Sequence, residues 1–403
     1  MKKIDGGFCA TPGFSAWGGN CGIKKNGIKD LALLYCDKDC VAAAVFTKNL
    51  VKAAPVYVSM ENILDGKARA VVVNSGNANA CAPKGIENAK KTCVAGAKAL
   101  RIPAEDIIVA STGIIGQELP VALIENALPE AAKNLSADGG NSAANSILTT
   151  DTHIKEAAVQ IDIGGKTVTI GAMAKGSGMI HPNMGTMLGF VSTDASIDGQ
   201  LLKEVLTECV EKSYNRISVD GDTSTNDMVC IMASGTAEND MIKEKGADYE
   251  SFKAGLMEVS VTLAKMIAGD GEGAGKLITC TVVNAQDEAT ACGLAKSVIT
   301  SMLVKTAIFG RDANWGRVLC ALGYAGQPIK PNQVDIYFKS SVGSVLVCQN
   351  GEGLVFDEDM ALRVLSEKDV IIYVDLKDGL EEATAWGCDL TYDYVKINGD
   401  YRS

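Results

Sequence analysis

The stretch from Glu156 to Gly176, EAAVQIDIGGKTVTIGAMAKG, constrains the fold of this chain most strongly. Apolar and polar residues alternate on both sides of Gly164 and Gly165, which is typical of an antiparallel hairpin with a tight glycine turn. The second arm leads into KGSGMIHPNMGTMLGF, residues 175–190, which is too rich in glycine for a helix interior. The sequence therefore predicts a strand that ends in one irregular segment.

Strand-like and helix-like segments alternate along the rest of the chain. The predicted strands are 69–76, 106–113, 228–232, 277–283, 333–338 and 370–375. The predicted helices are 86–100, 120–135, 200–213, 249–268, 287–307 and 357–366. This mixed order predicts a layered α/β (α+β) fold. A domain boundary is predicted after the GDGEGAGK loop, which gives a catalytic domain at 1–280 and a smaller α/β domain at 281–403.

Charge and hydropathy narrow the class of protein. The formal net charge is −11 and no run of Lys or Arg occurs, which argues against a nucleic-acid partner or an anionic membrane surface. The N-terminal MKKIDGGFCATPG has no apolar segment after its lysines, and VAAAVF at 41–46 is far too short to span a membrane. We expect a cytoplasmic protein with no membrane partner.

The cysteines do not predict a metal site. The chain has 13 cysteines but no Cys-x-x-Cys, and the pair in CDKDC, Cys36 and Cys40, has no matching second pair. Several cysteines lie in apolar segments such as MVCIM and LITCTVV, where a free thiol behaves as a small apolar group. We therefore expect reduced, structural thiols and no metal.

Common catalytic motifs are missing or incomplete. GDGEGAGKL lacks the Ser or Thr that follows the P-loop lysine, because Leu277 stands there, and its carboxylates would repel phosphate. Neither a dinucleotide fingerprint nor a G-x-S-x-G elbow occurs. A Ser-His-Asp or Cys-His site would have to use His153 or His181, the only two histidines.

An N-terminal threonine is one way to activate a hydroxyl without histidine, because its own α-amine acts as the base. That amine has a pKa of about 8. Thr186 is internal, so its amine requires cleavage of the bond from Gly185 to Thr186. Glycine leaves its carbonyl open to attack by the Thr186 hydroxyl and tolerates a strained turn.

Longer motifs resemble one family. They lie at 71–81 (VVVNSGNANAC), 110–117 (ASTGIIGQ), 149–157 (TTDTHIKEA), 175–190, 218–227 (SVDGDTSTND), 269–276, 310–326 (GRDANWGRVLCALGYAG) and 397–403 (INGDYRS). Their types and order are similar to those of the ornithine acetyltransferases, also called glutamate N-acetyltransferases of arginine biosynthesis. The resemblance extends along nearly the whole chain.

The resemblance implies a self-cleaving enzyme with an αββα sandwich of the N-terminal-nucleophile type and a smaller C-terminal domain. Cleavage between Gly185 and Thr186 would give an α chain (1–185) and a β chain (186–403), assembled as two of each. Thr186 would accept acetyl from N-acetylornithine and pass it to glutamate in a ping-pong cycle. The family needs no cofactor, and some members also use acetyl-CoA as donor.

Site residues follow from the same resemblance. Thr112 and Gly113, in a Ser-Thr-Gly turn after a strand, would form the oxyanion hole, for which such a turn exposes a hydroxyl and a backbone N–H. Lys175 would bind a substrate carboxylate, and Glu272, among glycines, would meet an ammonium group. By family likeness alone, three further residues would contact substrate: Thr149, Asn398 and Ser403.

Two alternatives remain open from the sequence. An amidase or aminopeptidase on the same scaffold would use water as acceptor, and a binding protein with an inactive site would remain uncut. The chain also departs mildly from the family, which often has alanine at the places of His181 and Gly185, and threonine at that of Gly275. These departures leave Thr186 and Glu272 in place.

Overall fold

The computed structural model describes residues 1–181 and 187–400, and these residues form two β-sheets with helices packed on them. The strands are, in chain order, β1 (Lys2–Ile4), β2 (Phe14–Gly19), β3 (Leu31–Phe46), β4 (Lys67–Asn77), β5 (Ile107–Ile114), β6 (Lys155–Ile163), β7 (Lys166–Lys175), β8 (Leu188–Thr193), β9 (Ile217–Ser218), β10 (Met228–Ala233), β11 (Leu277–Ala285), β12 (Asp335–Ser340), β13 (Gly343–Gln349), β14 (Glu352–Gly353), β15 (Asp369–Asp375) and β16 (Glu381–Cys388).

The helices lie between these strands along the chain. They are α1 (Ala54–Asn62), α2 (Gly85–Leu100), α3 (Val121–Lys133), α4 (Gly140–Ser146), α5 (Gly199–Glu211), α6 (Ala247–Gly269), α7 (Glu288–Thr300), α8 (Met302–Gly310), α9 (Trp315–Gly323), α10 (Glu358–Ser366) and α11 (Tyr392–Asp400).

The first sheet has the order β1-β6-β7-β8-β10-β3-β4-β5, with β2 also paired to β3. The long strand β3 divides it into two halves. Its first part, from Leu31 to Cys36, pairs with β2 and β4, and its last part, from Val41 to Phe46, pairs with β10. The pairing with β4 continues to Val41, with a register shift between Tyr35 and Cys40. One strand thus belongs to both halves.

Apolar side chains form three layers, one between the two halves and one on the outer face of each half. Because strand side chains alternate between faces, one face of each half meets the other in a shared core. That core contains Leu34, Val73 and Ile108 from one half and Met173, Phe190 and Met232 from the other. The outer faces pack on α2 and α3 at one side and on α5 and α6 at the other. The order helix, sheet, sheet, helix confirms the predicted αββα sandwich.

The predicted hairpin is confirmed as β6 and β7. These strands pair antiparallel from Lys155 and Ala174 to Ile163 and Lys166. Gly164 and Gly165 both have positive φ, 59° and 79°, the backbone region that a tight two-residue hairpin turn requires. Strand β7 then pairs antiparallel with β8, so Lys175 lies opposite Leu188 at the sheet end.

The second sheet has the order β14-β13-β12-β15-β11-β16-β9. Its core includes residues of α7, α8, α9 and α10. Strand β11 runs parallel to β15 and antiparallel to β16. The boundary expected near residue 280 falls inside β11, and the division into 1–280 and 281–403 stays a prediction.

The helix predicted over 287–307 is wrong in one respect, because the structure has two helices there. Ser301 has an extended ψ of 112°, which ends α7, and its hydroxyl accepts a hydrogen bond from Val304 N and so begins α8. Across the described ranges, no single helix is long and apolar enough to cross a membrane, although α7 and α8, bent by 59°, pass that test as a pair.

Candidate active site

A cavity of about 250 Å³ brings together residues that are distant in the sequence. It is lined by six of the predicted site residues, namely Thr112, Gly113, Thr149, Lys175, Glu272 and Asn398. The cleavage and nucleophile predictions at Gly185 and Thr186, and the substrate contact at Ser403, lie outside the described residues. Ile180 and Met187, which flank the first of these gaps, also line the cavity.

One wall of the cavity is the end of β5, where Thr112 and Gly113 lie beside β4. Gly113 has a φ of +131° and pairs with Gly76. A Cβ at Gly113 would lie 2.4 Å from the carbonyl carbon of Gly76 and 2.6 Å from Asn77 N. Only glycine fits this close backbone approach. The predicted turn after the strand is thus wrong, because Ser111, Thr112 and Gly113 lie inside β5 and pair with β4. Thr112 is half-buried at the cavity edge.

Lys175 places a cation at one end of the cavity. It is the last residue of β7, and its side chain is 8% exposed. Its ammonium donates a hydrogen bond to Thr149 Oγ1 at 2.8 Å and lies 3.5 Å from Asp151 Oδ2. The predicted pair of Thr149 and Lys175 is thus a direct contact.

Asp151 anchors the backbone around this cation. Its carboxylate accepts hydrogen bonds from Gly176 N at 2.6 Å and from Thr149 N at 3.0 Å. Burial alone raises the pKa of the Asp151 carboxyl, but the ammonium groups of Lys175 and Lys155 outweigh it and hold that pKa well below its usual range. Asp151 is therefore ionised, and its charge fixes both the lysine and the glycine-rich chain that follows.

Glu272 places a carboxylate in the cavity wall, and we call its surroundings the anionic end and those of Lys175 the cationic end. It lies in the loop after α6, is 9% exposed, and donates its backbone N–H to Ser177 O at 3.1 Å. A Cβ at Gly178 would lie 2.4 Å from the Glu272 carboxyl carbon. The glycine next to Ser177 thus leaves room for the glutamate side chain.

Asn398 reaches the same end from α11. Its side-chain amide donates hydrogen bonds to Glu272 Oε2 at 2.7 Å and to Tyr394 O at 3.1 Å. Helix α11 is held near its start by the Thr391 hydroxyl, which donates to Gly273 O at 2.7 Å. Asn398 thus lines the cavity from a helix near the chain end, and its contact with substrate stays a prediction.

The chain on both sides of residues 182–186 is held by hydrogen bonds to one segment, residues 218–228. Val219 N donates to Ile180 O at 2.7 Å, and the Thr223 hydroxyl donates to His181 O at 2.7 Å. On the far side, Met228 N donates to Met187 O at 3.0 Å. His181 Nδ1 lies 3.1 Å from Ser218 Oγ, and burial lowers the pKa of its imidazole.

Sequence reasoning missed two polar residues of the cavity wall, Asn226 and Asp227. The amide of Asn226 donates to Ala78 O at 2.6 Å and to Ser111 O at 2.8 Å. Burial raises the pKa of the Asp227 carboxyl well above its usual range. The motif SVDGDTSTND contains both residues but gives no sign of their burial.

Within residues 1–181 and 187–400, no group of three or more His, Cys, Asp and Glu side chains is arranged to hold a metal ion. The described part of the cavity wall instead offers hydroxyls, the backbone at Gly113, the Lys175 ammonium and the carboxyl groups of Glu272 and Asp227. This set suits a small polar molecule that carries both charges.

Comparisons with known proteins agree on one family. The model of the ArgJ family matches residues 15–403. The chain is 51% identical over 404 residues to the arginine biosynthesis bifunctional protein ArgJ of Caldanaerobacter subterraneus, and 52% identical over 406 residues to that of Symbiobacterium thermophilum, with 100% of each chain covered in both cases. It is also similar to the crystal structure of the arginine biosynthesis bifunctional protein argJ from Bacillus halodurans, at 45% identity and a TM-score of 0.50, over 53% of this chain and 98% of that chain.

Proposed function

We infer that this chain, which belongs to the ArgJ family, is an acyltransferase of arginine biosynthesis that moves an acetyl group from N-acetylornithine to glutamate. The observation that carries this proposal is the cavity that gathers Thr112, Gly113, Lys175 and Glu272 beside the two flanks of the Gly185–Thr186 bond. The Lys175 ammonium matches the α-carboxylate that both substrates carry. The Glu272 carboxylate matches the side-chain ammonium of N-acetylornithine.

The first step of the proposed chemistry is self-cleavage. The Thr186 hydroxyl attacks the Gly185 carbonyl carbon, and the acyl group moves from nitrogen to oxygen. Water then hydrolyses the ester, which leaves an α chain of residues 1–185 and a β chain that begins with the free amine of Thr186. The segment 218–228 holds both flanks of this bond, through Ile180, His181 and Met187.

Acetyl transfer then proceeds in two half-reactions. The Thr186 amine takes the hydroxyl proton while the oxygen attacks the acetyl carbonyl of N-acetylornithine. Thr112 and Gly113 stabilise the negative charge that forms on the carbonyl oxygen. The C–N bond breaks, the proton passes to the departing amine, and ornithine leaves. The amine of glutamate attacks the acetyl-threonine in the reverse sense, which releases N-acetylglutamate.

Chain length in a solved relative supports the cleavage proposal. The Bacillus halodurans chain is covered over 98% of its length by 53% of this one, so it is about half as long. A family member cut near its midpoint gives chains of that length. The proposal includes an assembly of two α and two β chains in the cytoplasm, with the division at residue 280.

Acetyl-CoA is a second donor in this proposal. The relatives are named bifunctional, and a second acetyl donor would add one activity at the same threonine. Purified protein with glutamate and acetyl-CoA should then release free CoA thiol, measured with a thiol reagent. No thiol release alongside normal transfer from N-acetylornithine would restrict the enzyme to one donor.

The experiment that tests the proposed function combines intact mass with turnover. Wild-type protein should give two fragments, the heavier beginning at Thr186, and should form N-acetylglutamate only when N-acetylornithine and glutamate are both present. Thr186→Ala should remain one chain and be inactive. Thr167→Ala, at an exposed position of β7, should behave as wild type.

Three outcomes would contradict the proposal. A cut or active Thr186→Ala variant would remove Thr186 as nucleophile. Hydrolysis of N-acetylornithine at the same rate without glutamate would indicate the amidase alternative. A single uncut wild-type chain that binds acetylated amino acids without turnover would indicate the binding-protein alternative.

A further inference from the structure

Lys155 is a buried lysine that the proposed chemistry does not use. It is the first residue of β6, and its side chain is fully buried. Its ammonium donates to Asp151 Oδ1 at 2.9 Å and to Asp270 Oδ2 at 2.5 Å. A buried charge of this kind is costly unless it is paired, and here it is paired twice.

The Asp151 carboxylate is shared unequally between two lysines. Lys155 lies 2.9 Å from one of its oxygens, within hydrogen-bond distance, whereas Lys175 lies 3.5 Å from the other. Lys155 is therefore the closer cation. A third lysine nearby, Lys24, donates instead to the carbonyl oxygen of Leu148 at 2.6 Å.

The Asp270 carboxylate links Lys155 to the loop that carries Glu272. Asp270 ends α6, and its backbone oxygen accepts a hydrogen bond from the Ser177 hydroxyl at 2.7 Å. Its carboxylate also accepts from Thr152 N at 3.0 Å and lies 3.3 Å from His153 Nδ1. Two buried carboxylates thus face two buried ammonium groups beside the cavity.

This arrangement determines how much of the Lys175 charge is available to a ligand. If Asp151 had Lys175 as its sole partner, the ammonium would be drawn to a buried carboxylate and its attraction for an anion in the cavity would fall. Lys155, although it also pairs with Asp270, gives Asp151 a second and closer cation, which weakens the hold of Asp151 on Lys175.

We propose that Lys155 is a positioning residue that takes up part of the charge of Asp151, so that more of the Lys175 charge remains for the α-carboxylate of the substrate. The inference rests on the proposed function, because it assigns that carboxylate to Lys175. The ligand whose binding depends on Lys155 is therefore a small amino acid with a free α-carboxylate.

The test compares two donors on the processed enzyme. These are N-acetylornithine and N-acetyl-1,4-diaminobutane, which is the same molecule without its carboxylate. Lys155→Met should raise both the KM and the dissociation constant for N-acetylornithine by about 30-fold, as expected for a broken buried charge pair. The kcat should change much less, and the dissociation constant for the donor without carboxylate should stay near the wild-type value.

Equal weakening for both donors would overturn the inference, since a merely structural role of Lys155 does not distinguish them. The dissociation constants are measured by calorimetry and do not need turnover. A wild-type enzyme that binds N-acetylornithine but transfers no acetyl would therefore defeat the proposed function alone.

A second variant covers the case in which Lys155→Met does not fold. Lys155→Met with Asp270→Asn removes one charge of each sign and leaves Asp151 with Lys175 as its partner. It should show the same selective weakening for N-acetylornithine, whereas Asp270→Asn alone, which keeps the pair of Lys155 and Asp151, should not. Equal affinity for N-acetylornithine in these two variants would also overturn the inference.

Discussion

The two ends of the cavity are built in different ways. Lys175 ends a central strand, is almost fully buried, and is fixed by Thr149 and Asp151. Glu272 is buried to a similar degree, but it lies in a loop and contacts Asn398 of α11, a helix in which no described residue is buried. The cationic end is therefore part of the folded core, whereas the anionic end is assembled from a loop and a surface helix. Substitutions at the first end should affect both folding and binding, and those at the second should affect binding alone.

Lys175→Met is expected to have the largest effect. It removes a charged hydrogen-bond donor of about 1.5–3 kcal/mol, so kcat/KM should fall about 100-fold. It also leaves Asp151 with one cation fewer, so the free energy of unfolding in urea should fall as well. Lys166→Met, at the exposed start of the same strand, is the control. Loss of activity with unchanged stability would show that the cationic end is not part of the core.

Glu272→Gln is expected to act next most strongly, and only on the substrate with a side-chain ammonium group, N-acetylornithine. The KM for N-acetylornithine should rise about 10-fold, because an ion pair is replaced by a neutral hydrogen bond. Urea unfolding should match that of Glu244→Gln, an exposed control. A large loss of stability would contradict the contrast between the two ends.

Asn398→Ala is expected to give a smaller effect. It removes the amide that holds the Glu272 carboxylate at 2.7 Å, and kcat/KM should fall about fivefold, a typical value for one hydrogen bond. Since Asn398 is exposed, stability should change by less than about 0.5 kcal/mol. Lys396→Ala on the same helix is the control, and an equal loss of activity there would assign the effect to α11 as a whole.

The last effect is a change in how stability depends on pH in acid. Because the folded-state pKa of Asp151 is depressed, its contribution to stability is present above the unfolded value of about 3.9 and is lost as pH falls below it. Asp151→Asn should start less stable at pH 7 and lose less stability between pH 5 and pH 3 than wild type. Asp138→Asn, at an exposed position, should follow the wild-type curve. Parallel curves for all three proteins would show that Asp151 contributes nothing to acid sensitivity.

Local patterns in the sequence predicted the elements that depend on near neighbours. The hairpin around Gly164 and Gly165, the strand at 69–76 and the helix at 86–100 all occur where they were predicted. The sequence pattern did not predict β3, because the first and last parts of this strand pair with different partner strands. The sequence pattern also does not distinguish Ser301 from a residue inside a helix, because its role depends on the hydrogen bond that its hydroxyl accepts from Val304 N.

The residues of the site also divide into those that motifs predict and those that depend on contacts between distant parts of the chain. Thr112, Gly113, Thr149, Lys175, Glu272 and Asn398 were predicted from motifs and share one cavity. The reason for Gly113 was not visible, since its contact with Gly76 depends on the register of two strands. Lys155 was missed because lysine is usually exposed, and its burial depends on the carboxylate of Asp270, which is distant in the sequence, as well as on nearby Asp151.

The strand order of the first sheet has a consequence for how this enzyme can be made. Strands β8 and β10 follow the proposed cut, yet they lie between β7 and β3, which precede it. The two products therefore interleave within one hydrogen-bonded sheet. Neither product alone contains all the strands of this sheet, so the proposed cut belongs after the sheet has formed. A chain cut there would separate into its two parts only by unfolding.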